Sequence, residues 1–397
     1  MIINKADRLG NVQEYYFSKK LREIAQMEER GEKVINLGIG SPDMAPSSAT
    51  IKKLSEAAFQ KNTHGYQNYK GIPQLRQAFS NWYNTTYNVF LNAETEVLPL
   101  LGSKEGIMHI SMAFLNPGDG VLVPDPGYPA YAAASRLLGA DLITYDLKEE
   151  DGWMPDLEAL QKMDLNHVKL MWLNYPNMPT GAEANRETFE ALIQFARKHK
   201  ILLCHDNPYS LVLNKNQPLS ILSCEGAKEV SIELNSLSKS HNMAGWRIGM
   251  VGGHKDYVEA IIKVKSNVDS GMFFPLQLAA VEALNNSIKW HNDRNKEYSK
   301  RKKSALSILE LLKCKAAEEQ VGMFLWAKIP DGISEVEGFI DNILSKAKVF
   351  LTPGFIFGSN GKRFIRISLC SNLNTLGEAH KRIQKVLSEL DLEEKEM

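Results

Sequence analysis

Short apolar runs recur along the middle of this chain with helical stretches between them, and that alternation limits the possible folds more than any other feature. Val121-Leu122-Val123, Leu142-Ile143-Thr144-Tyr145, Leu170-Met171-Trp172-Leu173, Ile201-Leu202-Leu203-Cys204 and Met250-Val251-Gly252 are strand-like runs with little polar alternation. A strand with no polar face must be covered on both sides, so these runs predict a mainly parallel sheet between layers of helices. In such sheets, ligands bind beyond the carboxyl ends of the strands. At 397 residues the chain exceeds one ordinary core, so a second lobe is expected. Residues 1–45 read as an arm and part of a small domain, 46–290 as the large domain, and 291–397 as a smaller α+β domain. A charged helix near Trp290 to Leu312 leads into the last, which holds the strand-like Phe324-Leu325-Trp326-Ala327 and Phe364-Ile365-Arg366-Ile367-Ser368.

Lysine plus arginine equals aspartate plus glutamate at 47 each, so no net field gathers nucleic acid or an anionic membrane surface. The opening Met1-Ile2-Ile3-Asn4-Lys5-Ala6-Asp7-Arg8 lacks an apolar stretch of signal-peptide length, and no run approaches the ~18 residues that span a bilayer. The cysteines, Cys204, Cys224, Cys314 and Cys370, show neither CxxC nor metal-ligand spacing. These features predict reduced thiols in a cytoplasmic protein with no metal site.

Val230 to Leu237 reads as a strand running into a loop that carries Ser236-Leu237-Ser238-Lys239, with Gly245-Trp246-Arg247-Ile248-Gly249 following. A lone lysine after a strand is usually a solvated surface residue. Here it stands beside two serines and shortly before an arginine. Those are the parts of a site where an amine condenses with an aldehyde cofactor while Ser236, Ser238 and Arg247 hold a phosphate. The spacing S-x-S-K-x5-G-x-R-x-G resembles the lysine motif of fold-type I pyridoxal-phosphate enzymes, specifically the class I/II aminotransferases. The resemblance implies a large domain with a mainly parallel seven-stranded sheet that binds pyridoxal 5'-phosphate. It also makes Lys239 the Schiff-base lysine and proton shuttle of a ping-pong transfer between an L-amino acid and a 2-oxo acid.

Further motifs carry the same resemblance in order along the chain, from about residue 15 to 370. His205-Asp206-Asn207-Pro208-Tyr209 is similar to the family's D-x-x-Y, in which the carboxylate meets the ring nitrogen and the tyrosine the phenolic oxygen. A buried anion there favours the protonated ring. Leu101-Gly102-Ser103-Lys104-Glu105-Gly106 opens a helical stretch, where free N–H groups suit a phosphate. The family binds its phosphate there through residues matching Ser103 and Lys104. This is not a Walker loop, and Gly38-Ile39-Gly40 lacks the rest of a dinucleotide fingerprint. In Pro124-Asp125-Pro126-Gly127-Tyr128, the aromatic matches the residue that stacks on the ring. Tyr66-Gln67-Asn68-Tyr69-Lys70-Gly71 resembles a segment that reaches the neighbouring subunit's phosphate, which implies a homodimer. Gly40 matches a backbone that meets the substrate, Arg366 the arginine that forks onto its carboxylate, and Tyr15 a substrate-side residue of the arm.

One position departs from the pattern. Asn174-Tyr175-Pro176-Asn177-Met178-Pro179-Thr180-Gly181 resembles N-x-P-N-N-P-T-G, with methionine where an asparagine would donate to the cofactor's phenolic oxygen. The expectation is that Asn177 or Tyr209 fills that role. The Ser103 loop, the opening Glu14-Tyr15-Tyr16-Phe17 and Ser266-Asn267-Val268-Asp269-Ser270-Gly271 look most like the LL-diaminopimelate aminotransferase branch. Aspartate-, alanine- and aromatic-type donors stay open. A PLP-dependent C–S β-lyase of the same fold is the enzymatic alternative. A PLP-sensing regulator would need a DNA-binding region ahead of Val34, where the residues are too few and too neutral.

Overall fold

The computed structural model describes residues 3–10 and 16–396. A short strand β1 (Ile35–Asn36) precedes seven that form one sheet: β2 (Val97–Leu100), β3 (Gly120–Asp125), β4 (Asp141–Asp146), β5 (Val168–Asn174), β6 (Leu202–Asp206), β7 (Ser231–Ser236) and β8 (Gly249–Gly253). Their spatial order is β2-β8-β7-β6-β5-β3-β4. All the pairings from β7 to β4 are parallel, while β8 runs antiparallel to both β2 and β7. The expected mainly parallel seven-stranded sheet is present.

Alternate residues of the central strands enter different cores, as the two-residue period of a strand demands. Leu122, Met171, Leu173 and Leu203 pack with the helices Pro73–Tyr87 and Arg186–His199. Val121, Val123, Leu170, Trp172 and Cys204 pack on the other face with Ser103–Phe114 and Lys255–Lys265. β4 is less buried than its apolar run implied, because it is the edge strand.

A second sheet is made from β9 (Lys315–Ala316), β10 (Phe324–Lys328), β12 (Thr352–Pro353) and β13 (Phe364–Ser368), in the order β12-β13-β10-β9. Between them, β11 (Val349–Phe350) pairs in parallel with β1, so the early strand joins the late lobe. All four cysteines are free and buried. Among the described residues, no helix is long and apolar enough to cross a membrane.

The two sheets are joined beside β3. Asp125 accepts from Ser359 N (2.9 Å) and Oγ (2.6 Å) and from Asn360 N (3.0 Å), while Gly127 N donates to Phe357 O (2.8 Å). The Asp125 and Gly127 bonds fix the loop after β3 against the 357–360 segment of the late lobe. Arg301, in the helix Ile288–Leu311, forks onto Asp43 at 2.6 and 3.2 Å and donates to Leu369 O at 3.2 Å, holding the segment after β1 to the late lobe.

Candidate active site

A cavity of about 640 Å³ opens beyond the carboxyl ends of β5, β6 and β7, with the small sheet closing its far side. Its wall includes Gly40, Ser103, Lys104, Tyr128, Asp206, Tyr209, Ser236, Ser238, Lys239, Arg247 and Arg366. Eleven residues separated by up to hundreds of positions in sequence therefore meet where the parallel sheet predicts a ligand.

Lys239 sits in the single helical turn Leu237–Ser240 that follows β7, with Ser236 capping that turn by accepting from Ser238 N at 3.2 Å. Burial pulls the Lys239 amine below its ordinary range, and the nearby guanidinium groups of Arg366 and Arg247 push the same way. A neutral amine is the nucleophilic form. Its Nζ donates to the carbonyl of Gly40, and that loop packs tightly: a Cβ on Gly40 would fall 2.3 Å from the Phe324 ring.

Asp206 ends β6, so it belongs to the strand itself rather than to the loop beyond. Its Oδ2 accepts from Tyr131 Oη at 2.9 Å, and its main-chain carbonyl accepts from Asn174 Nδ2 at 2.7 Å. Burial pushes the carboxyl up to about 6, against the opposing effect of the Tyr131 bond. Tyr131 is held flat on Trp172, with centroids 4.8 Å apart and planes within 6°, and meets Tyr128 edge-on at 5.6 Å. Burial pushes the Tyr209 hydroxyl's pKa above the ordinary phenol value, which keeps it protonated and a donor.

Behind Asp206, on the opposite face of β6, His205 contacts the buried Glu233 through Nδ1 (2.8 Å) and Tyr175 O through Nε2 (3.0 Å). Glu233 also accepts from Tyr83 Oη, Ser220 Oγ and Ile221 N. A fully satisfied buried network of this kind makes the strand ends rigid.

The phosphate-like end lies where the helix Ser103–Phe114 starts. Gly102 takes φ +88°, and a Cβ there would strike Arg247 Nη2 at 2.2 Å, so glycine permits both the turn and the close arginine. Arg247 donates to Leu101 O (3.2 Å), Ala244 O (2.9 Å) and Ser238 Oγ (3.4 Å). Ser103 Oγ and Asp206 Oδ1 are buried in this wall without a hydrogen bond of ordinary length, although the Ser103 hydroxyl stands near enough to the Asp206 carboxyl to help hold it down. Buried orphaned polar atoms are rare in native folds. Ser103 opens the helix and Asp206 ends a strand, where a phosphate and a protonated ring nitrogen could complete their hydrogen bonding, so the residues fit the expected cofactor.

Arg366 lies opposite, on β13. It donates through Nη2 to Gly38 O at 2.8 Å, and Nη1 stands 3.2 Å from the sulfur of Met178. Its guanidinium lies 4.0 Å from the Phe324 centroid and 4.7 Å from that of Phe357, a geometry that holds the planar fork by its faces.

Two expectations need correction or qualification. Asn177 does not line the cavity. Its Nδ2 donates to Asn174 O (3.1 Å) and its Oδ1 accepts from Thr180 N (3.2 Å) and Oγ1 (2.8 Å), so its hydrogen bonds stay within its own loop. The loop turns position 178 to the cavity instead. Tyr66 is 92% exposed and also absent from this cavity wall. Tyr15 lies outside the described residues.

Two residues were missed by sequence reasoning. Tyr131 stands three residues after Tyr128 on a helix and reads as packing; Asn174 was only the opening letter of a motif. Glu105, His109 and Asp269 bring possible metal-ligand atoms within 4.8 Å of one another, but the buried Lys265 ammonium already contacts both Asp269 oxygens, at 2.9 and 2.7 Å.

The family described as "Aminotransferase class I and II" matches residues 32–383 of this chain. An LL-diaminopimelate aminotransferase from Dehalococcoides mccartyi is 40% identical over 363 residues, covering 91% of this chain and 93% of that protein. Another from Natranaerobius thermophilus is 38% identical over 387 residues, covering 97% and 100%. The substrate-bound structure of BacF from Bacillus subtilis superposes with a TM-score of 0.91 at 38% identity, covering 97% of this chain and 98% of that one.

Proposed function

This chain belongs to the class I and II aminotransferases, and we propose that it uses pyridoxal 5'-phosphate, held in the cavity around Lys239, to move an amino group between an L-amino acid and a 2-oxo acid. The observation that carries this reading is the meeting, in one cavity, of a buried, weakly basic lysine with an aspartate oxygen and a serine hydroxyl that lack hydrogen bonds of ordinary length. When bound, the cofactor supplies an aldehyde for the amine and a ring that draws off the electron pair left as the substrate's α-proton departs.

The chain's own residues do the remainder. Ser103, Lys104, Ser236, Ser238 and Arg247 would hold the phosphate at the start of the helix. Asp206 would keep the ring nitrogen protonated, Tyr128 would cover a ring face, and Tyr209 would donate to the phenolic oxygen. Arg366 would fork onto the substrate carboxylate, with the Gly40 backbone beside it. Lys239 Nζ would take the proton from the substrate's α-carbon and give it back on the far side of the substrate's nitrogen, at the carbon that was the cofactor's aldehyde, acting as base and then as acid. Its depressed basicity makes the neutral, proton-accepting amine more available than in a solvated lysine.

The reading extends to a homodimer. The segments 64–69 and 266–273 pack together, with the His64 and Phe273 rings 5.7 Å apart, and they turn Tyr66, Tyr69, Val268 and Phe273 toward solvent. Such an apolar patch needs a cover, and a second copy would place Tyr66 at the neighbouring phosphate. We take 46–290 as the cofactor-binding domain and 291–397, with the arm 1–45, as the domain that brings Arg366. Four buried, unpaired thiols agree with a cytoplasmic setting.

The names of the relatives favour transfer over the elimination of a C–S β-lyase, and they make LL-diaminopimelate one donor to try. The test is purification with the cofactor, its visible absorbance, and a screen of amino donors against 2-oxo acids. Pyruvate and ammonia formed from a cysteine-type substrate without an acceptor, and no transfer with any pair, would overturn the proposal.

A further inference from the structure

Resting on the aminotransferase reading, we propose that the donor's side chain is large and uncharged, with an aromatic ring the best fit, and that a side chain ending in a charge is disfavoured. Among the described residues, the cations on the cavity wall are Lys104, Lys239, Arg247 and Arg366. Lys239 is the reactive amine, Lys104 and Arg247 stand at the helix start, and Arg366 is the fork for the carboxylate that every amino acid carries. None is left for a second carboxylate. Among the described residues the only acid on that wall is Asp206, whose Oδ2 is taken by Tyr131 and whose Oδ1 is the oxygen left for the ring nitrogen. None is left for a distal ammonium.

Around Arg366 the wall is apolar. Phe324 and Phe357 flank the guanidinium, and Phe17, one helical turn before Leu21, lies 5.9 Å from it. Leu21 and Ile39 also line this end, yet they are 38% and 43% exposed. A donor ring resting there would take both out of water, whereas a charged terminus would lose its hydration and gain no partner. The segments that a second copy would bring do not change this balance. Residues 64–69 contain no acidic or cationic side chain apart from His64, and in 266–273 the one acid, Asp269, is held by Lys265.

The experiment is a single-turnover assay of the cofactor-loaded enzyme with donor alone, so that the acceptor does not enter. Phenylalanine and tyrosine should convert with a specificity at least about tenfold above that of aspartate and LL-diaminopimelate, each tenfold being ~1.4 kcal/mol. Binding of the unreactive 3-phenylpropanoate should likewise exceed that of butanedioate, read by calorimetry. Leu21→Arg should shift the aspartate-to-phenylalanine ratio toward aspartate by about tenfold or more. Should that variant fail to fold, the two unreactive acids decide on the parent enzyme. Aspartate or LL-diaminopimelate as the best donor, or tighter binding of butanedioate, overturns the side-chain assignment while leaving transamination intact. Failure of every donor overturns the aminotransferase reading beneath it as well.

Discussion

Replacing Tyr131 with phenylalanine removes one hydrogen bond and little else, since the ring remains stacked on Trp172. The lost bond is Tyr131 Oη to Asp206 Oδ2 at 2.9 Å, inside a site where burial has already pushed the carboxyl from 3.8 up to about 6. A hydrogen bond to a charged group contributes about 1.5–3 kcal/mol, and one pKa unit is ~1.4 kcal/mol, so the carboxyl should rise by a further one to two units, to roughly 7 to 8. The sign follows from linkage. The folded protein holds the Asp206 proton more tightly than the unfolded chain, so burying this group destabilises the fold increasingly as pH rises from about 4 to about 6. Tyr131 offsets part of that loss, and it does so in full only where the carboxylate is ionised, above about 6. The substitution should therefore destabilise the cofactor-free protein by about 1.5–3 kcal/mol at pH 8, and by only about 0.5–1.5 at pH 5, where the bond is between neutral partners. Thermal unfolding of parent and variant at both pH values measures the difference. Equal destabilisation at pH 5 and pH 8 would refute the role given to Tyr131.

Lys239→Ala should abolish transfer and the visible absorbance of bound cofactor while circular dichroism stays unchanged; residual wild-type turnover would remove the central assignment. Asp206→Ala should retain cofactor but slow α-proton removal by several orders of magnitude, each tenfold being ~1.4 kcal/mol, as followed by loss of deuterium from the α-position. Arg366→Lys should lower kcat/KM on the order of a hundredfold, because an ammonium cannot fork onto a carboxylate, while the absorbance of bound cofactor is retained. Met178→Asn should lower the pH at which the visible band of the bound cofactor changes, since an amide donor would favour the deprotonated form; an unchanged or raised midpoint means that position 178 does not act on the phenolic oxygen.

Much of this was legible in sequence because each part falls where an element ends. Lys239 follows β7, Asp206 ends β6 and Ser103 opens a helix, and such positions show themselves as polar residues at the edge of apolar runs. Arg366 was readable only through resemblance, since an arginine alternating within Phe364-Ile365-Arg366-Ile367 could equally have faced solvent. The antiparallel direction of β8 was not legible, because Gly249-Met250-Val251-Gly252-Gly253 carries no signal of strand direction. Nor was the pairing of Ile35 with Val349, which joins residues with nothing between them in sequence to mark the contact. Asn177 was misplaced because neighbouring side chains in an irregular loop point apart, and only the bonds to Asn174 and Thr180 decide which one turns inward. Tyr131 escaped notice because a buried tyrosine and a tyrosine aimed at a carboxylate look identical in a helical pattern.

Lys239 and Arg247 sit on one excursion of the chain, whose ends, Ser236 and Gly249, are partners across the antiparallel β7–β8 ladder and whose neck is drawn shut by Leu237 N donating to Ile248 O at 3.0 Å. Arg366 rides on the other sheet. Any shift of the small sheet against the large one, which would have to give at the Asp125–Ser359 junction, would alter the span from lysine to Arg366 and leave the span from lysine to Arg247 fixed. The grip on a phosphate and the reach toward a carboxylate are two independent dimensions of the same cleft. A pair of distance probes set across the sheets would report any such shift, while a pair set within the excursion would not register it.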